Sequence, residues 1–121
     1  MDVHGLVWQR CVACRPGEPA VSADELAAFL AGYPEWKVIE PGGVPQLQRM
    51  YRFTSYLAGV EFTSRVAQLA EAEDHHPTLL VEWRKVTVTW WTRTIHNLHK
   101  NDLIMAAKSD QVYGDINTPS M

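Results

Sequence analysis

No apolar run in this chain approaches the roughly 20 residues that a membrane-spanning helix needs, so a membrane partner is not expected. Cysteine is scarce. Two in 121 residues cannot make a disulfide scaffold, and a reducing cytoplasm is the home this usage predicts. The N-terminus, MDVHGLVWQRC, carries an early acid and no apolar core segment, so a secretory signal is not expected. Basic residues are not in excess: eleven Lys and Arg against fourteen Asp and Glu give a net charge of −3. Affinity for nucleic-acid phosphate needs clustered Lys and Arg, so no nucleic-acid partner is expected. Repeats, low-complexity tracts and long linkers are absent as well. What remains is an ordinary globular balance, 46% hydrophobic and 21% charged, in a length that suits one domain over residues 1–121.

The order of elements follows from periodicity and punctuation. Residues 1–20 contain Pro and Gly without a clear period. They read as an N-terminal arm, packed at Val7 and Trp8 and loose elsewhere. Residues 114–121, GDINTPSM, read as a flexible tail. Ser22 with Glu25 is a capping box, and Leu26, Phe29 and Leu30 share a helix face that ends at Gly32. A strand at residues 36–39, a Pro-Gly-Gly turn and a strand at residues 46–53 predict a hairpin. Thr54 or Ser55 caps a second helix with Leu57, Phe62, Val66 and Leu69 along one stripe, ending near Glu73. Pro77 pushes His76 into extended geometry. Alternation then predicts two more strands, with Val86, Val88 and Trp90 on one face and Thr87, Thr89 and Trp91 on the other, a plausible contact surface. Asn101 or Asp102 caps a last helix. The order α-β-β-α-β-β-α predicts an α+β fold: one four-stranded antiparallel sheet with three helices packed on one face.

The chemistry concentrates between Glu71 and Asp102. His75-His76-Pro77 sits at a helix-to-strand junction, where side chains can enter a cleft. Imidazole accepts or donates a proton near neutral pH. Adjacent extended residues point opposite ways, so at most one histidine is expected to face a given substrate directly. Such a pair also serves, in many proteins, only to cap a helix or bond backbone carbonyls. Trp83 is either the wall of a pocket or plain core. Cys11 and Cys14 form a lone C-x-x-C. Zinc wants four ligands, His4 is the nearest addition in sequence, and Pro16-Gly17 does not suit a thioredoxin-type helix start, so loose thiols are the simpler reading and no metal is assigned.

These residues resemble the pterin-4a-carbinolamine dehydratase family, also known as the dimerisation cofactor of a homeodomain transcription factor. The family signature resembles E-x3-H-H-P-x5-W-x9-H-x8-D, and Glu71, His75, His76, Pro77, Trp83 and Asp102 fall at those spacings. The stretches VAQLAEAEDHHP, KVTVTWWT and LHKNDLIMAA match as well, and CVACRPGEP is like bacterial members found beside phenylalanine hydroxylase. The resemblance runs over roughly residues 8 to 113. It implies an α+β fold and a dehydratase that removes water from 4a-hydroxytetrahydropterin during tetrahydrobiopterin recycling, with no cofactor. It implies a homodimer or homotetramer and a functional link to phenylalanine hydroxylase. It places catalysis on His75 and His76 and substrate binding on Glu71, Pro77, Trp83 and Asp102, with Asp102 also able to orient a site group. Arg93 stands where the family carries a third site histidine, and His96-Asn97 replaces the usual Gly-Gly. Arginine stays protonated and cannot act as a base. It can donate hydrogen bonds to the departing oxygen or the pterin carbonyl, and His96 or His99 lies close enough in sequence to fill the vacated place. The exchange also opens a second reading, a catalytically impaired pterin-binding or protein-interaction member of the family.

Overall fold

The computed structural model describes residues 3–117. Its helices are α1 (Ala23–Gly32), α2 (Tyr56–Glu73) and α3 (Lys100–Asn117). Its strands are β1 (Lys37–Ile39), β2 (Gln46–Arg52), β3 (Thr78–Glu82) and β4 (Lys85–Trp90). The strands form one antiparallel sheet in the order β1-β2-β4-β3, as two hairpins joined through β2 and β4. Helices α2 and α3 lie across one face. The α+β order expected from the sequence is the observed one.

Register explains the burial. Leu47 pairs with Trp90, Arg49 with Val88 and Tyr51 with Val86, and all six turn toward the helices. Phe62, Val66 and Ala70 of α2 and Leu103, Met105 and Ala106 of α3 meet them to form the core. The opposite face carries Gln48, Met50, Leu80, Thr87 and Thr89, and there Met50 and Leu80 are exposed. A polar cluster ties the middle of α3 to β2 and Trp36. Asp110 accepts hydrogen bonds from Tyr51 Oη (2.5 Å), Arg49 Nη1 (2.8 Å) and Trp36 Nε1 (3.1 Å).

Local chemistry sets the boundaries. The Ser22–Glu25 capping box forms, with Glu25 N donating to Ser22 Oγ and Ser22 N to Glu25 Oε1. Ser55 caps α2 by accepting from Ala58 N at 3.1 Å. Helix α2 stops because Asp74 takes a left-handed conformation (φ 50°), which throws the next residues out of the helical path. Among the described residues no helix is long and apolar enough to cross a membrane.

Three expectations need correction. Of the two residues expected to pack the arm, Val7 lies against the core, but Trp8 is 81% exposed and Leu6 is the fully buried residue. Residues three apart share one side of a 3-10 turn, so turning Leu6 inward turns Trp8 outward. Nor is the arm loose elsewhere, because the backbone of Cys11 and Val12 is hydrogen-bonded to Glu73 and Asn101. The cap of α3 is His99, not Asn101 or Asp102. His99 Nδ1 accepts from Asn101 N at 3.0 Å, and the Asp102 carboxylate accepts from His99 N at 2.9 Å, a reciprocal cap with histidine in the usual serine's place. Finally, α3 continues through residues 114–117, where a tail was expected, and Tyr113 Oη ties it to Arg52 O at 2.8 Å. The rest of that expected tail, 118–121, lies outside the described residues.

Candidate active site

The end of α2, the start of α3 and the segment after β4 converge on a cleft of about 540 Å³. Its walls come from arm residues 11–14, from Glu73 and Asp74, from His75 and His76, from residues 91–94 and from Asn101. The volume suits a small organic ligand.

His75 is the most constrained group. Its main-chain N–H still bonds Ala70 O, so the ring leaves the helix end in a fixed direction. The ring stacks on Trp90 with centroids 5.7 Å apart and planes 11° from parallel. Its Nε2 lies 2.6 Å from Asp102 Oδ1. Asp102 is fully buried, and its other oxygen accepts from Thr92 Oγ1 at 2.7 Å and from His99 N. A carboxylate only accepts, so Nε2 carries a proton toward Asp102, and in the neutral ring Nδ1 is the nitrogen with the free lone pair. The side chain is 12% exposed and lines the cleft.

His76 differs in setting. Its Nε2 lies 2.6 Å from Glu71 Oε1, one helical turn back on α2, and both side chains are exposed. Arg93 stands at the rim. Its guanidinium lies 4.8 Å above the Trp91 ring, and Nη1 donates to His76 O at 3.3 Å.

The remaining sequence candidates distribute as follows. Glu71 and Asp102 act on the two histidines rather than on the cleft, and Asp102 is placed to orient, not to touch a ligand. Pro77 leads into β3 and does not line the cleft. Trp83 is neither wall nor core. It sits at the β3–β4 turn, 73% exposed, in a separate hollow with Arg52, Phe53, Arg84 and Lys85. A tight hairpin ends there, so the alternation that would have turned Trp83 inward stops at Val81. Trp91 is the aromatic that lines the cleft. Neither histidine expected to replace the third one does so. His99 is spent on the α3 cap with its Nε2 3.9 Å from Glu18, and His96 is an exposed left-handed residue (φ 49°) off the cleft.

Sequence reasoning missed Thr92, Trp90, Glu73, Asn101 and the arm. The inward alternation Val86, Val88, Trp90 carried a signal for Trp90. Nothing local signalled Glu73 or Asn101, whose partners are distant in sequence. Cys11 N donates to Glu73 Oε1 at 2.7 Å, Val12 N to Asn101 Oδ1 at 3.0 Å, and Asn101 Nδ2 to Val12 O at 2.7 Å. Burial pushes the Glu73 carboxyl up, but the Cys11 amide, Lys108 and Arg10 together outweigh it and hold it below its ordinary value. Burial, and next the Glu73 charge, push the Cys11 thiol up to about 12. Cys11 and Cys14 are free thiols, and among the described residues no group of three His, Cys, Asp or Glu is arranged to hold a metal.

The family model described as Pterin 4 alpha carbinolamine dehydratase matches residues 19–112. A protein of Gloeobacter violaceus named "Putative pterin-4-alpha-carbinolamine dehydratase 1" is 46% identical over 111 residues, covering 92% of this chain and 96% of its own. A similarly named protein of Syntrophotalea carbinolica is 49% identical over 102 residues, covering 84% and 91%. The crystal structure of a Brucella melitensis protein titled a transcriptional coactivator/pterin dehydratase shares the fold, with a TM-score of 0.71 at 23% identity over 78% of this chain and 98% of that one. A pterin dehydratase-like protein identified as a RuBisCO assembly factor in the alpha-carboxysome aligns with a TM-score of 0.57 at 26% identity, over 66% of this chain and 90% of that one. With most of its length matched by the family model and by such relatives, this chain belongs to the pterin 4 alpha carbinolamine dehydratase family.

Proposed function

We propose that this protein is a 4a-hydroxytetrahydropterin dehydratase serving tetrahydrobiopterin recycling in the cytoplasm, where it follows an aromatic amino acid hydroxylase such as phenylalanine hydroxylase. The observation that carries this reading is the pair of imidazoles at one cleft, each tied through Nε2 to a carboxylate. Dehydration needs two proton movements. The N5–H proton leaves to a base, and a proton reaches the C4a hydroxyl as its C–O bond breaks; water and the quinonoid dihydropterin result. His75, held rigidly with a free Nδ1, suits the base. His76, open to solvent, suits the acid because water can restore its proton. Each transfer contributes about 10²–10⁴-fold. Arg93 offers fixed positive charge to the departing oxygen or the pterin carbonyl without moving a proton. Trp91 and the rim above it offer a flat surface for the ring. Assembly into a homodimer or homotetramer belongs to the same reading: β1 and β3 are sheet edges, and Met50 and Leu80 are exposed on the open face.

Arg93 also favours a second reading, a pterin-binding or interaction protein that has lost turnover. One solved relative is described as an assembly factor. Stopped-flow absorbance of freshly generated 4a-hydroxytetrahydropterin separates the two. Acceleration by the native protein that His75→Ala and His76→Ala abolish supports the dehydratase. No acceleration by the native protein, with activity gained in Arg93→His, supports the second reading.

A further inference from the structure

The N-terminal arm is fastened in an unusual way for a segment without regular structure. Leu6 anchors it in the core, and farther along the backbone of Cys11 and Val12 is gripped by side chains of the domain. Asn101, 2% exposed, gives and takes one hydrogen bond with the Val12 backbone, as a neighbouring strand would. Glu73 accepts from the Cys11 amide and is itself held by Lys108 (3.4 Å) and Arg10 (3.6 Å). The Val12 and Ala13 side chains remain exposed. Both latching residues belong to the cleft, and so do residues 11–14.

We propose that residues 11–14 form a substrate-contacting wall of the cleft, latched by Asn101 and Glu73, and that this wall sets how tightly the pterin is held rather than how fast its protons move. The inference rests on the dehydratase reading above. The arm brings Cys11, Val12, Ala13 and Cys14 to the cleft, and burial pushes the Cys11 thiol up to about 12. Neither imidazole is bonded to this wall: His75 is tied to Asp102 and His76 to Glu71, so the protons of the reaction are held elsewhere. The wall's contacts therefore act alike on bound substrate and transition state, which moves KM and leaves kcat nearly alone.

The test uses the full-length chain with two variants and a stable dihydropterin as probe. Ala13→Trp adds bulk at an exposed position and is expected to raise KM about tenfold while kcat changes less than about threefold. Asn101→Leu frees the Val12 peptide and is expected to raise KM in the same sense. Labelling of Cys14 by an aromatic disulfide, located by mass spectrometry, is expected to slow at least about fivefold when the dihydropterin saturates the native protein, because a bound ligand excludes the reagent. A native KM in Ala13→Trp, or dihydropterin binding in equilibrium dialysis without protection of Cys14, overturns the wall and leaves the dehydratase standing. No dihydropterin binding by the native protein overturns both.

Discussion

Replacing Asp102 by asparagine removes a charge and almost no volume, and its consequence can be worked atom by atom. The native carboxylate accepts from His75 Nε2 at 2.6 Å, from Thr92 Oγ1 at 2.7 Å and from His99 N at 2.9 Å. Asparagine keeps one oxygen and turns the other into a donor. The His99 main-chain N–H cannot reverse its role, so the remaining oxygen must face His99 and Thr92. The new amide N–H₂ then faces His75 and forces Nε2 to become an acceptor. The imidazole proton moves to Nδ1, and the cleft loses its base. On the proposed dehydratase reading, loss of this base is expected to lower kcat by about 10²–10⁴-fold, or about 3–5 kcal/mol of activation free energy. Stability falls by about 1.5–3 kcal/mol for the charge-assisted bonds lost at a wholly buried site. Stopped-flow dehydration measures the first quantity and urea unfolding the second. Nitrogen NMR of the His75 ring reads the tautomer directly. A folded Asp102→Asn protein with kcat within about threefold of native, or with its proton still on Nε2, would refute the reasoning.

Other outcomes follow from the same geometry. Glu73 is held below its ordinary carboxyl value in the folded state, so its stabilising contribution is complete above the unfolded value of about 4.3 and disappears as pH falls through the lower folded one; urea midpoints between pH 3 and 6 should show an acid-sensitive component that Glu73→Gln lacks. Tyr51→Phe removes the phenol that donates to Asp110 at 2.5 Å, which is expected to cost about 1.5–3 kcal/mol by urea unfolding. Trp83→Ala is expected to leave kcat/KM at its native value and to shift stability by less than about 0.5 kcal/mol, because this side chain is exposed on the β3–β4 turn; a tenfold loss of kcat/KM would place Trp83 back in the site.

The fold was legible because it rests on short-range patterns. The Ser22–Glu25 box, the stripe through Phe62 and Val66, and the alternation Val86, Val88, Trp90 each contain their own explanation within a few residues. The two histidines were legible for the same reason, standing at a helix end ahead of a proline. Legibility ended where function depends on distance. Asn101 and Val12 are 89 positions apart, and Cys11 and Glu73 are 62 apart, so no window of sequence shows that the arm completes the cleft. Trp83 was misplaced because its spacing suited a family pattern while the local turn decided its direction. The α3 cap was misplaced because histidine is an uncommon cap and Asn101 a common one.

The first turn of α3 and the rim after β4 differ in what a mutation there can do. His99, Asn101 and Asp102 respectively begin the helix, fasten the arm and orient His75, and all three are buried. An exchange at any of them disturbs folding and the site together, so such changes are expected to be lost from a population quickly. Arg93 is exposed, and its hydrogen bond goes to a backbone oxygen. The chain can try arginine or histidine there without risking its architecture. New chemistry in this scaffold has its cheapest point of entry at the rim, and an engineer seeking to change the preferred ligand would randomise position 93 before touching the helix.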